Sequence, residues 1–175
     1  HLTVTPEGDL YVAIANSPDG KVKGGIFALR DSDGDGEPED SQRFHDNGGN
    51  GIAWAAGRLY LAENERVVYW ELDEGQLVPT GAPEVLIEKL PFEGDHYTKT
   101  IVVEESGNLL LALGSATNSC QGQNRVPGAP GLNPCPELVN RAGIWRFSTT
   151  VNGQTFADGV QVATGLRNIV ALATE

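Results

Sequence analysis

The sequence predicts an all-β chain that forms part of a β-propeller: about three four-stranded blades plus one strand of a fourth. One observation is a repeat. Gly8-Asp9-Leu10-Tyr11-Val12-Ala13 matches Gly57-Arg58-Leu59-Tyr60-Leu61-Ala62 and Gly107-Asn108-Leu109-Leu110-Leu111-Ala112, with leading glycines 49 (57 − 8) and 50 (107 − 57) residues apart. The second is that each copy sits within a set of short apolar runs separated by turn residues. Four short strands in a unit of nearly fifty residues is the pattern of a propeller blade. A sandwich gives no reason for this period.

The opening strands are Leu2-Thr3-Val4, Ile52-Ala53-Trp54 and Ile101-Val102-Val103. The Gly-X pair after each supplies the positive φ that a hairpin turn needs, and the repeated motif is the second strand. Third strands follow at 25–29, 67–70 and 143–147, and fourth strands at 42–44, 85–87 and 160–163. The blades therefore span about 1–47, 48–95 and 96–164. Ile169-Val170-Ala171-Leu172-Ala173 opens a fourth within 165–175. Trp54, Trp70 and Trp145 fall on strands and are expected to pack between blades.

A chain of 175 residues can bury a sizeable core, and its 22 glycines and 10 prolines suit many turns. The formal charge is −12, from 24 acidic and 12 basic residues, which disfavours nucleic acid and anionic membrane surfaces as partners. No apolar run approaches the roughly 18 residues of a membrane span. The chain opens at His1 without an initiator Met, consistent with removal of an upstream segment. Cys120 and Cys135 enclose a loop rich in Gly, Pro and Asn that has little core of its own. A disulfide there would contribute about 3 kcal/mol on chain-entropy grounds. Two free thiols are the alternative; zinc is disfavoured because neither cysteine has a partner at ligand spacing. A disulfide would imply a periplasmic or extracellular protein.

In a propeller the connector leading into each first strand opens on one face beside the central channel. His1, Gly48-Gly49-Asn50, Asp95-His96 and Arg167-Asn168 occupy or adjoin those connectors, so they converge on one mouth. An imidazole titrates near neutrality, which suits His96 to general-base work, and Asp95 is placed to orient it or to hold substrate. Arg167 offers a fork of donors for carboxylates, and Asn168 a donor and an acceptor. A turn-capping His96 and a surface-paired Arg167 are the plainer readings. His45, in the polar connector Phe44-His45-Asp46-Asn47, reads as a turn residue rather than a ligand.

Asp31-Ser32-Asp33-Gly34-Asp35-Gly36-Glu37-Pro38-Glu39-Asp40 places carboxylates at alternate positions around sharp glycine turns. Such a loop can wrap Ca²⁺ through Asp31, Asp33 and Asp35, the Glu37 carbonyl, and Glu39 or Asp40. An EF-hand is excluded, because Gln42 stands at its twelfth position and no helices flank it. A solvated acidic hairpin is the alternative. Either way the loop lies away from the channel.

Three stretches, Gly94-Asp95-His96-Tyr97, Gly114-Ser115-Ala116-Thr117-Asn118-Ser119-Cys120 and Gly165-Leu166-Arg167-Asn168, resemble the soluble quinoprotein sugar dehydrogenases. This is the glucose/sorbosone dehydrogenase family, which uses pyrroloquinoline quinone (PQQ). The likeness runs over nearly the whole chain, and the Gly-Ser-X-X-Asn-X-Cys stretch looks most like the sorbosone branch. The resemblance implies a six-bladed ring in which His96 removes the proton of a sugar's anomeric hydroxyl while hydride passes to PQQ. It implies that Asp95 is the acid beside the base and that Arg167 and Asn168 contact the cofactor. It also implies that the remaining basic cofactor ligands and the Ca²⁺ on the quinone come from later blades, beyond Glu175. The expected function is thus part of a PQQ-dependent aldose or sorbosone dehydrogenase acting on a sugar or small polyol. The alternative is a non-catalytic propeller scaffold or binding module. Two three-blade arcs would make six blades, so a homodimer closing the ring is expected unless the chain is cut from a longer one.

Overall fold

In a computed structural model describing residues 1–17 and 19–174, the chain forms three antiparallel four-stranded blades. Blade 1 is β1 (Leu2–Val4), β2 (Leu10–Ile14), β3 (Gly25–Arg30) and β4 (Asp40–Phe44). Blade 2 is β5 (Gly49–Ala55), β6 (Arg58–Glu63), β7 (Val67–Glu71) and β8 (Glu84–Glu88). Blade 3 begins with β9 (Lys99–Val103), β10 (Asn108–Leu113) and β11 (Gly143–Ser148). Its next segment, β12 (Gln154–Thr155), leaves the blade and pairs parallel to β8 before β13 (Val160–Thr164) completes the sheet against β11. Short 3₁₀ turns occupy Pro136–Val139 and Phe156–Asp158. β12 and these turns have no repeat or periodicity to announce them.

The repeated glycines do what the pattern requires. Gly8, Gly57 and Gly107 have φ of 97°, 76° and 81°. In blade 2 the turn is a two-residue hairpin in which Ala56 also has positive φ, 50°, the geometry that matches strand twist. The first strands β1, β5 and β9 lie side by side, as the walls of a channel do.

Blade 2 is covered on both faces, which explains why β6 reads Leu59-Tyr60-Leu61-Ala62 without polar alternation. Leu59 and Leu61 pack toward blade 1 with Tyr11, Ile26, Val68 and Trp70. Tyr60 and Ala62 pack toward blade 3 with Tyr69, Leu109, Leu111 and Trp145. All three tryptophans lie in or against these inter-blade cores. The outward faces of the end blades are different. Leu2 and Val4 of blade 1 are 61% and 53% exposed, and Val160 and Val162 of blade 3 are 57% and 45% exposed.

After β13 the chain returns toward the inner strands. Residues 169–173, expected to open a further blade, pair with no strand among the described residues. Thr100 Oγ1 on β9 donates to the Ile169 carbonyl at 3.0 Å. The segment thus lies beside β9, on the side where a next first strand belongs.

Candidate functional site

His96 sits in the connector between β8 and β9, and local backbone packing fixes where it sits. Asp95 N–H donates to the Ala116 carbonyl at 2.8 Å, and His96 N–H to the Ser115 carbonyl at 3.2 Å. Glycine is required on both sides of this seam. Gly94 has φ 103°, and a Cβ there would meet the Ala116 carbonyl oxygen at 2.4 Å. A Cβ on Gly114 would meet the His96 Cβ at 2.5 Å.

The hydrogen bonds around the imidazole determine its tautomer. Ser115 donates its one hydroxyl proton to the Thr117 carbonyl at 2.6 Å. His96 Nδ1 lies 3.0 Å from Ser115 Oγ and 3.3 Å from the Ser115 carbonyl. Both can only accept there, so Nδ1 carries the proton and neutral Nε2 holds the lone pair. Among the described residues Nε2 has no partner, and no unpartnered side-chain nitrogen or oxygen is fully buried. Nε2 is therefore the accessible, basic nitrogen.

Arg167 is tied to the same seam. Its carbonyl accepts from Ser115 N–H at 2.7 Å, and its Nη1 donates to Asn118 Oδ1 at 2.8 Å. The guanidinium is exposed, and Asn168 is exposed with no side-chain hydrogen bond among the described residues. An open cleft of about 310 Å³ beside Arg167 is lined also by Ser115, Asn118, Cys120, Cys135 and Leu138, without His96 or Asn168. A second cleft, about 440 Å³, is lined by Asn16, Asn64, Phe92, Glu93, Gly94 and Tyr97. His1 is exposed, with its carbonyl on Ala13 N–H.

Asp95 faces another way. Its Oδ2 accepts from Asn124 Nδ2 at 3.0 Å and from Arg125 Nε at 2.9 Å. The Asn124 hydrogen bond, then the Arg125 guanidinium, hold its carboxyl below the usual range. Both partners belong to the loop closed by the Cys120–Cys135 disulfide, which is formed. Just beyond it, Glu137 braces the seam by accepting from Ala116 and Thr117 N–H at 2.8 and 3.2 Å. The disulfide loop thus reaches Asp95 through Asn124 and Arg125, and Arg167 through Asn118.

Two residues beneath the site have a role that the sequence barely signals. Lys99 and Arg141 are 1% and 5% exposed, yet neither is paired with a carboxylate among the described residues; both donate to main-chain carbonyls. Burial pushes Lys99 down to about 7, with the Arg141 charge adding to the shift and Glu65 opposing it. A lysine heading an otherwise apolar strand was the one visible hint.

His45 adopts φ 61°, as a turn residue, and also donates from Nε2 to Glu63 Oε1 at 2.7 Å. Glu63 shares its other oxygen with Arg66 at 2.6 Å.

In the acidic loop, oxygens of Asp31, Asp33, Asp35 and Glu39 lie within 4.8 Å of one another, all exposed. Asp31 accepts from Gly36 and Gly34 N–H at 2.8 and 2.6 Å, and these bonds hold it below the usual range, Gly36 most. Glu37 brings no carboxylate to the cluster; its N–H donates to Asp35 Oδ1 at 2.8 Å. The donor set is all oxygen and anionic, which suits a hard divalent cation.

No family model matches the chain, and no curated protein matches it by sequence. Solved structures do match. The holo PQQ domain of pyranose dehydrogenase from Coprinopsis cinerea is 19% identical with a TM-score of 0.71, covering 95% of this chain and 38% of that one. The calcium structure of a Trichoderma reesei Carbohydrate-Active Enzymes Family AA12 protein is 18% identical with a TM-score of 0.71, covering 95% and 40%. Its iodide structure gives 17%, 0.67, 91% and 38%. The chain has the fold of a PQQ-dependent sugar dehydrogenase domain and spans about two-fifths of those chains.

PQQ is an ortho-quinone bearing carboxylates, so it needs cations and amide donors. Arg167, with guanidinium nitrogens beyond the Nη1 bond to Asn118, and the open Asn168 fit one flank of such a group. Lys99 and Arg141 do not add to that flank, because their contacts are spent on main-chain carbonyls.

Proposed function

We propose that this chain supplies the base-bearing blades of a quinone-dependent sugar dehydrogenase. One observation carries the reading: His96 is held as the Nδ1–H tautomer with Nε2 open, in a seam that also fixes Arg167. His96 Nε2 takes the hydroxyl proton from the carbon being oxidised, and Ser115 keeps the imidazolium aligned through Nδ1. Bound PQQ would accept the hydride. Arg167 and Asn168 hold a carboxylate edge of the cofactor. Asp95 orients the disulfide loop over the mouth, rather than touching substrate. The chain's charge of −12 favours a neutral sugar or polyol over an acidic one. An aldose or sorbosone is the substrate class, and the disulfide supports a periplasmic or extracellular setting. No helix among the described residues is long and apolar enough to cross a membrane.

The acidic loop is proposed as a structural Ca²⁺ site, remote from the base. The exposed end faces favour completion of the ring, by further blades or by a second copy of the chain. A propeller that binds without catalysis is the second reading, and it rests on the same open faces. Reconstitution with PQQ and Ca²⁺, following cofactor absorbance and dye reduction across an aldose panel, tests the first reading. Dye reduction that disappears with His96→Ala is the expected result. Cofactor binding without turnover on any aldose would favour the scaffold.

A further inference from the structure

The connector Pro91–Tyr97 has no strand or helix, yet it carries the base. Two buried cations hold it. Lys99 Nζ donates to the Pro91 and Tyr97 carbonyls, both at 2.8 Å, grasping the two ends. Arg141 donates from Nη1 to the Glu93 carbonyl and from Nη2 to the His96 carbonyl at 3.1 Å. Four of the seven connector carbonyls (91, 93, 96 and 97) therefore receive a charged donor. Arg141 also bonds the other side of the seam, with Nε on the Gly114 carbonyl at 2.7 Å and Nη2 3.5 Å from the Ser115 carbonyl.

Burying an unpaired cation is expensive, and a neutral side chain of similar length would avoid that expense. The fold bears it for Arg141, and buries a second basic side chain, Lys99, on the same short segment. A planar fork with five donors can hold carbonyls on two converging segments at once, which an apolar residue cannot do.

We propose that Lys99 and Arg141 are positioning residues for His96: together they lock the connector against residues 114–115 and so fix the imidazole as the Nδ1–H tautomer. Neither touches a substrate. Arg141 acts through the His96 and Ser115 carbonyls, and Lys99 through the connector's ends. Without them His96 keeps its ring but loses the fixed distance to Ser115 that selects the tautomer. The catalytic meaning of this lock rests on the reading of His96 as a base, but the lock itself can be measured without turnover.

The test is ¹⁵N imidazole NMR of the labelled protein at a pH where His96 is neutral. The expected wild-type spectrum shows a single His96 tautomer with a protonated Nδ1. In Arg141→Gln, and to a smaller extent in Lys99→Met, it should become a mixture of the two tautomers. His45, tied to Glu63, should remain Nε2-protonated in every variant and reports that the fold is intact. A folded Arg141→Gln protein that keeps one Nδ1–H tautomer overturns the proposal. Should neither variant fold, hydrogen exchange of the wild type decides. The Asp95 and His96 amides are expected to exchange only through global unfolding, and exchange by local opening overturns the lock. In an active assembly, Arg141→Gln should lower kcat with little change in KM. A tautomer locked as described, combined with activity indifferent to His96→Ala, would sink the base and leave the lock standing.

Discussion

His96 and Ser115 are joined through backbone and ring: the His96 N–H donates to the Ser115 carbonyl at 3.2 Å, and Nδ1 lies 3.0 Å from Ser115 Oγ and 3.3 Å from the same carbonyl. The backbone bond places the residue, and the side-chain bond orients the ring. Removing the base and loosening it should then differ in scale. In an active assembly, His96→Ala is expected to lower turnover by about 10²–10⁴, the range of general-base loss. Ser115→Ala removes one hydrogen bond of about 1 kcal/mol, so a loss of about fivefold is expected. Steady-state kinetics measures both; equal effects would show that Ser115 does more than orient the ring.

Lys99 makes stability depend on pH in a defined direction. Its folded value is about 7 against an ordinary 10.5. Between these values the unfolded chain holds a proton that folded Lys99 has released, so its contribution to stability rises with pH, by at most about 1.4 kcal/mol per pH unit. Below about pH 7 it is charged in both states, and its contribution is flat. The neutral amine still has two N–H groups for Pro91 and Tyr97. Denaturant unfolding from pH 6 to 10 should show this rise in wild type and lose it in Lys99→Met. A pH profile identical in both proteins would place Lys99 outside this account.

Asp95 separates two roles that sequence alone could not. Asp95 straps the disulfide loop through Asn124 and Arg125, and its replacement by Ala should change stability little, as for an exposed ion pair. It should also speed proteolysis near residues 124–126. A loss of turnover on the scale of His96→Ala, with unchanged proteolysis, would instead make Asp95 part of the chemistry.

The acidic loop should respond to Ca²⁺. Binding only the folded state stabilises by about 2.7 kcal/mol when free ion is 100 times its dissociation constant. Tm is expected to rise with Ca²⁺ and fall with chelator, and Asp31→Asn with Asp33→Asn should abolish the difference. Calorimetry without a Ca²⁺ heat would leave a hairpin held by its own Gly34 and Gly36 amides.

The exposed end faces predict association of the isolated chain. Closing apolar surface gains about 25 cal/mol per Å², and Leu2, Val4, Val160 and Val162 are all open. Light scattering during size exclusion should find a dimer, two arcs of three blades. A stable monomer at micromolar concentration would leave further blades as what those faces require.

The blades were legible because their signals are local and repeated: the glycine turns at 8, 57 and 107, and the apolar strands on either side. That repeat also places His96 and Arg167 in the connectors before successive first strands, where both meet Ser115, and the disulfide follows from the loop that holds it. The partners of these residues do not. Asp95 meets a side chain 30 residues away, and Lys99 and Arg141 meet carbonyls, which every residue carries and no sequence distinguishes. The tautomer of His96 is set by the Ser115 carbonyl and by the Ser115 hydroxyl, which spends its proton on Thr117, in a turn that no spacing rule describes.

β12 lies in the chain of blade 3 but in the sheet of blade 2, where Gln154 and Thr155 pair with Ile87 and Glu88. Arg58 adds a bond to the Thr149 carbonyl at 3.1 Å, and Tyr69 and Asn152 meet alongside. Blades 1 and 2 share no such ladder among the described residues. The blades are thus unequal links in a nearest-neighbour chain. Blades 2 and 3, with the base between them, are expected to open together, and blade 1 with its acidic loop to detach first.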